Sequence, residues 1–327
     1  MSVHVVGTGS YAPEKILTNR DLEKMVDTND EWISTRTGIR ERRIAREDQA
    51  TSDLALEAAK AALEDAGCSA GELEIILVAT CSPDMLFPST ATQVQHKLGA
   101  KNAFAMDLSA ACSGFLFAME TARSMLVGKR YKTALVIGAE KMSTLLNWED
   151  RNTCILFGDG AGAAVLKRED DRDGGLGPCI LGSNGSLSHL LEIPAGGSRQ
   201  PVTPEVLATR ANTIRMEGKE VFKHAVMNMT ATAKKLIREA GWAPEDLALV
   251  IPHQANERIL EAIRTRVGVE KDRVYMNLDK YGNTSAASVG IALDEAARSG
   301  RLQPGDKVML LAFGAGFTWA GILLEWR

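Results

Sequence analysis

Three residues combine types and surroundings suited to acyl transfer: Cys112 in DLSAACSGF, His253 in PHQAN and Asn283 in YGNTSAASV. Phe104 to Leu108 has the short apolar pattern of a buried strand, and Ser109 to Ala111 are small turn residues. From Cys112 onward apolar residues recur too densely for a one-sided surface helix, which predicts a helix buried on most sides. A thiol at the first turn of such a helix sits among unpaired N–H groups and at the positive end of the macrodipole, and both favour thiolate. The same N–H groups can bind the oxyanion that forms when sulfur attacks a carbonyl. Taken singly, each residue has a plainer reading: free cysteines usually pack, a lone histidine is usually hydrogen-bonded core, and an asparagine in YGNTS is a turn residue or helix cap. No carboxylate accompanies the set, although a histidine acting as a strong base is commonly oriented by one. Histidine and asparagine therefore read as neutral donors to an enolate oxygen.

The elements that must position these residues follow from the rest of the chain. Residues 3 to 8 look like a first strand, Thr18, Asn19 and Asp21 read as a capped helix start, and Ser52 opens a helix closed by Gly67. Leu73 to Thr80 and Ala134 to Gly138 are β runs, with a helix around Thr90 to Leu98 between them. Phe157 to Ala164, FGDGAGAA, has a dinucleotide-loop look but precedes a strand-like run instead of following one, so its glycines read as close backbone packing. The segment from Asp30 to Arg43 sets a tryptophan among arginines, a composition that suits a phosphorylated, ring-bearing ligand or a solvated salt-bridged loop. Met85, Leu86 and Phe87 put apolar side chains on a loop, and these need burial in the core or in a partner subunit.

The second half repeats the first. LEDAG followed by LEIILV at 63–78 corresponds to IREAG followed by LALVI at 237–251, and the helix, turn and strand from Gly128 to Gly138 correspond to those from Gly300 to Gly314. Ala105 to Leu108 matches Tyr275 to Leu278, read as a strand, at an offset of about 170–176 residues throughout. A duplicated α/β chain is expected, with halves 1–170 and 171–327 and a polar linker at 169–175. The equivalent central helices should begin near Cys112 and near Asn283 and Thr284. Ligands in such folds bind beyond the carboxyl ends of strands, where Cys112, His253 and Asn283 all fall.

At 327 residues and 45% hydrophobic content a substantial core is available. The net charge of −4, with both signs dispersed, gives no electrostatic footprint for nucleic acid. Five cysteines without a CxxC pair indicate neither a disulfide framework nor a zinc site, so no metal is expected and a reducing cytoplasm fits best. The first residues enter a strand-like alternation directly, and no apolar run approaches membrane-spanning length.

DLSAACSGF, PHQAN, YGNTSAASV and AFGAGFTW together resemble the motifs of β-ketoacyl-acyl carrier protein synthase III, a condensing enzyme of the thiolase-like superfamily, in order along essentially the whole chain. The resemblance implies a thiolase-like fold with layered helices and two mixed sheets around buried central helices. It implies decarboxylative condensation of an acyl-CoA primer with malonyl-acyl carrier protein through an acyl-Cys112 intermediate, initiating type II fatty-acid synthesis, without a cofactor. A related condensing or acyl-transferring enzyme of secondary metabolism is the alternative. Position by position, the N–H groups of Cys112 and Ala315 would form the oxyanion hole, although glycine is frequent in the family where Ala315 stands. Trp32, Arg36 and Arg151, with Thr37, would hold the CoA adenine and phosphates, and Phe222, Ala255 and Asn256 the pantetheine, with Asn152 unassigned. Lys223, Arg258 and Arg266 are candidates for docking the acidic carrier, the last two eight residues apart on one helix face. Phe87 would close the acyl pocket of the other subunit of a homodimer, and Met142 would help shape that pocket. A thiolase would need a second cysteine near the C-terminus, where LAFGAG has none, and the local signature of papain-like hydrolases is absent around Cys112.

Overall fold

A computed structural model describes residues 2–327. One sheet has the order Ser2–Tyr11, Gly160–Glu169, Thr133–Glu140, Ile75–Ala79, Phe104–Leu108. Its first two junctions are antiparallel and its last two parallel. Every residue of Ile75–Ala79 and Thr133–Glu140 is buried, because helices cover both faces, so these strands read as unbroken apolar runs instead of alternating ones. The pleat still sorts the side chains: Ile75 and Leu77 face the middle of the molecule, while Ile76 and Val78 face the outer helices Thr51–Ala66 and Thr90–Leu98.

The second sheet runs Leu249–Pro252, Lys307–Gly314, Thr318–Glu325, Leu176–Ser183. Only its first junction is parallel. Helices Gly218–Ala240 and Glu257–Val267 pack on its outer face around Met309, Leu311 and Leu323. Between the two sheets lie Gly114–Val127 and Ala287–Arg298, whose Phe115, Leu116, Met119, Val289 and Leu293 share one core with both sheets. The result is five alternating layers with two helices in the middle. Among the described residues no helix is long and apolar enough to cross a membrane.

The glycines of FGDGAG behave as packing residues. A Cβ on Gly162 would lie 2.4 Å from the carbonyl carbon of Gly290, so the strand of one half and the central helix of the other touch backbone to backbone. Four sequence expectations need correction. Phe104–Leu108 is not a buried strand: it lies at the edge of its sheet, exposed at Phe104 and half-buried along the rest. Asp30–Thr37 is a helix capped by Asn29, not a loop. The second central helix starts at Ala287, a few residues later than expected. Residues 275–278 do not form a strand, since pairing is limited to one bridge between Val250 and Val274, and Leu278 already opens the short helix Leu278–Tyr281. The Gln254 side chain supplies the reason. Its amide donates to the carbonyls of Pro252 and Tyr275 and its oxygen accepts the N–H of Asn277, so a side chain takes the place of a ladder partner.

Candidate active site

Cys112 sits in a single 3-10 turn, Ala111–Ser113, immediately before helix Gly114–Val127. The turn is tight: Ala111 takes a left-handed φ of 46°, which costs a non-glycine residue about 1–3 kcal/mol and is kept only where surrounding structure imposes it. The end of strand Lys307–Gly314 presses on it from the other half, where a Cβ on Gly314 would lie 2.6 Å from the Cys112 nitrogen. The sulfur is buried and 3.5 Å from Ser285 Oγ. Burial pushes the thiol up to about 12, with the Ser285 hydrogen bond opposing that rise. The resting group is therefore the thiol. The helix N-terminus acts on charge that develops during attack, and does not by itself keep a standing thiolate as the sequence suggested.

His253 follows strand Leu249–Pro252 and is 4% exposed. Its backbone N–H donates to Leu311, and its Nδ1 lies 2.6 Å from Ser288 Oγ. Burial lowers its pKa to about 3, so the ring is neutral at physiological pH, as the reading of histidine as a neutral donor requires. Asn283 is pinned on both sides of its backbone by Leu156 and Gly158, and its side-chain oxygen accepts the Ser285 N–H at 2.8 Å. That bond turns the amide NH2 toward the open side. Cys112, His253 and Asn283 together line one cavity of about 730 Å³.

Trp32, Arg36, Thr37, Phe222, Ala255, Asn256 and Arg258 line the same cavity, as does Asn152, which had no assigned role. Arg36 and Arg151 place guanidinium carbons 5.2 and 5.3 Å from the Trp32 ring centroid, although Arg151 itself stands outside the cavity wall. The Thr37 hydroxyl is engaged within its own helix turn, donating to Ile33 and accepting from Ile39. Asn256 caps helix Glu257–Val267 and donates to the Arg36 carbonyl at 3.1 Å, tying two walls of the cavity together. Lys223 is exposed and 3.4 Å from Glu220, and Arg258 and Arg266 are exposed on their helix. Ala315 lies in the turn after Gly314, beyond the lining residues. Met142 is buried against Leu146, Phe157 and Ile214, behind the wall that Phe157 presents. Phe87 is 84% exposed and takes no part in the site of its own chain.

Several wall residues escaped the sequence reading, among them Lys219, Ala225 and Met229 on helix Gly218–Ala240. Phe222, Ala225 and Met229 recur at helical spacing on one face, a signal the periodicity of 218–240 carries. Ser285 and Ser288, which hold the sulfur and the imidazole, were hidden in a run of small residues.

Models of the 3-oxoacyl-[acyl-carrier-protein (ACP)] synthase III family match residues 106–185 and, for its C-terminal part, residues 237–326. The beta-ketoacyl-[acyl-carrier-protein] synthase III of Caldanaerobacter subterraneus subsp. tengcongensis is 56% identical over 98% of this chain and 97% of that relative. The chain belongs to the β-ketoacyl-acyl carrier protein synthase III family. The enzyme of that name from Desulfitobacterium hafniense strain Y51 is 52% identical over 100% of this chain and 98% of its own. The crystal structure of 3-oxoacyl-[acyl-carrier-protein] synthase III from Aquifex aeolicus VF5 superimposes with a TM-score of 0.92 at 46% identity, covering 99% of this chain and 100% of that one. The five layers seen here are thus the thiolase-like architecture of synthase III.

Proposed function

We propose that this condensing acyltransferase of fatty-acid synthesis joins an acyl-CoA primer to malonyl-acyl carrier protein through Cys112. The observation that carries this is the common cavity, with Cys112, His253 and Asn283 among its walls and Trp32 and Arg36 among them too. Trp32 and the two arginines suit an adenine ring and phosphates, Phe222, Ala255 and Asn256 a pantetheine arm. In the first half-reaction the Cys112 sulfur attacks the primer carbonyl, the Cys112 and Ala315 N–H groups hold the oxyanion, and CoA leaves as the sulfur takes the acyl group.

In the second, the malonyl thioester carbonyl lies between His253 and Asn283. This step uses the neutral tautomer in which Nδ1 of His253 accepts from Ser288, 2.6 Å away, and Nε2–H donates to that oxygen beside the Asn283 NH2. Loss of CO₂ places the electron pair in an enolate that these donors stabilise, and its carbon attacks the acyl-Cys112 carbonyl, releasing the sulfur and the β-ketoacyl-carrier product. A neutral histidine suits this step, since it donates without needing to gain or lose a proton. No cofactor enters. Lys223, Arg258 and Arg266 are the surface on which the acidic carrier docks, with Arg258 at the cavity. Exposed Leu86 and Phe87 support a homodimer in which Phe87 and Met142 bound the acyl pocket. The sheets, drawn from residues 2–169 and 176–325, support two fused halves, 1–170 and 171–327, and the five free cysteines support a reducing cytoplasm. No observation favours the secondary-metabolite alternative.

Intact-protein mass spectrometry with a panel of acyl-CoAs tests the reading. An acyl adduct forms on the wild type and not on Cys112→Ala, and malonyl-acyl carrier protein discharges it as a β-ketoacyl-carrier product. An adduct that never condenses would leave only acyl transfer, and no adduct with any primer would overturn the assignment.

A further inference from the structure

Beside the sulfur stands a carboxylate that the mechanism has not used. Glu140 ends strand Thr133–Glu140 and is completely buried. Among the described residues no cation pairs with it, and the neighbouring Lys141 ammonium turns away to the carbonyls of Arg46 and Gln49. Its oxygens instead accept from the Thr80 hydroxyl, the Cys81 and Ser82 N–H groups, the Ser82 hydroxyl, the Cys81 thiol and the Ser285 hydroxyl. Bonds to residues 80–82 are what an anchor for that turn would make. The bond to Ser285 is different, because Ser285 comes from the other half of the chain. It takes a left-handed φ of 48°, and its hydroxyl lies between the carboxylate and the reacting sulfur.

The geometry is directional. The Cys112 thiol donates to Ser285 Oγ at 3.5 Å, and the Ser285 hydroxyl donates to Glu140 Oε1 at 3.0 Å. We propose that Glu140, acting through the Ser285 hydroxyl, takes the Cys112 proton during acylation and returns it when the sulfur is released in condensation. As the S–C bond forms, the thiol proton moves to Ser285 Oγ and the Ser285 proton moves to Glu140. The C–S bond to CoA then breaks, and the CoA thiolate takes its proton from solvent. In the second half-reaction the released Cys112 sulfur recovers a proton by the reverse path, so both residues end as they began. Ser285 touches the reacting sulfur; Glu140 acts through it.

The surroundings favour such an acceptor. Burial raises the Glu140 carboxyl above the usual range, partly offset by the hydrogen bonds from Ser82 and Cys81, and a raised carboxylate is the stronger base. The other titratable groups near the chain, Cys81 and His253, are both held neutral by burial and so do not compete for the proton.

The inference rests on the acyl-Cys112 reading, and single-turnover acylation separates the two. The rate of adduct formation is followed by mass spectrometry at saturating acyl-CoA for the wild type, Ser285→Gly and Glu140→Gln. Glycine accepts the left-handed turn and keeps the backbone N–H that orients Asn283. Near neutral pH the acylation rate of Ser285→Gly falls by about 100-fold, with the half-saturating acyl-CoA concentration unchanged. The deficit shrinks as the pH rises toward 9, because hydroxide replaces the internal acceptor, and Glu140→Gln shows the same narrowing. A deficit of equal size at every pH, or none, overturns the relay. Should Glu140→Gln not fold, Ser285→Gly and Ser285→Ala decide alone. Failure of wild-type acylation sinks the synthase reading; normal wild-type acylation with unimpaired variants sinks only the relay.

Discussion

The two halves enter their central helices by the same turn and load it differently. At an offset of about 174 residues Ala111 corresponds to Ser285, and these two share nearly the same left-handed φ, 46° and 48°. On the same offset Cys112 corresponds to Ala286, Gly114 to Ser288 and Ala79 to His253. In the first half the last pair is a bare contact, where a Cβ on Gly114 would lie 2.9 Å from the Ala79 Cβ. In the second half it is the 2.6 Å hydrogen bond between Ser288 and His253. One copy of the turn therefore carries a thiol among small neighbours, and the other carries a hydroxyl that holds an imidazole. On the mechanism proposed above, the repeated frame carries different substituents at equivalent positions, and these assign one half-reaction to each copy.

That division can be broken from either side. Removing a donor should leave the nucleophile half working: His253→Ala is expected to form the acyl adduct at close to the wild-type rate while condensation falls by about 10²–10³-fold. Loss of adduct formation in that variant, read by mass spectrometry, would mean that the halves do not act separately. Ser288→Ala makes the second turn resemble the first and removes one hydrogen bond worth about 1.4 kcal/mol, so condensation should fall by about tenfold with acylation unchanged. Steady-state rates against malonyl-acyl carrier protein, set beside single-turnover acylation, check this.

The smallest effect is on stability. His253 has a folded pKa near 3, below its unfolded value, so the unfolded chain binds the extra proton first. Its contribution is fully present above about pH 6.5 and is lost as the pH falls toward 3, by up to about 1.4 kcal/mol per unit. Buried Glu140 and Asp159 and half-buried Asp107 are shifted upward, so their contributions run the opposite way and strengthen as the pH falls. Urea unfolding at about pH 7 and pH 5 should therefore show a smaller acid loss in His253→Asn than in the wild type.

Much of this division was legible in the sequence. The strand, turn and helix around Cys112 announced themselves through apolar density, and the offset between like segments exposed the duplication. The segment at 275–278 misled because it copies the pattern of a true strand, yet Gln254 satisfies its backbone instead of a neighbour. Glu140 was illegible for a related reason. It closes an apolar run, TALVIGAE, and its partners come from residues 80–82 and 285, so no local pattern marks it. Ser285 and Ser288 looked like spacers because small residues dominate that turn whether or not their hydroxyls are used. The wall of Phe222, Ala225 and Met229 could be traced from helical spacing, but which neighbour that face meets depends on the packing of both halves.

The backbone contact between Gly162 and Gly290 bears on what happens if the chain is cut. The central helix of the second half lies against a strand of the first with no side chain between them. Severing the linker between Glu169 and Leu176 would leave two fragments, each missing one side of the shared middle layer and each exposing a helix built to be enclosed. Such fragments are matched components of one assembly and not independent modules, and co-expression is the condition under which they should recover activity.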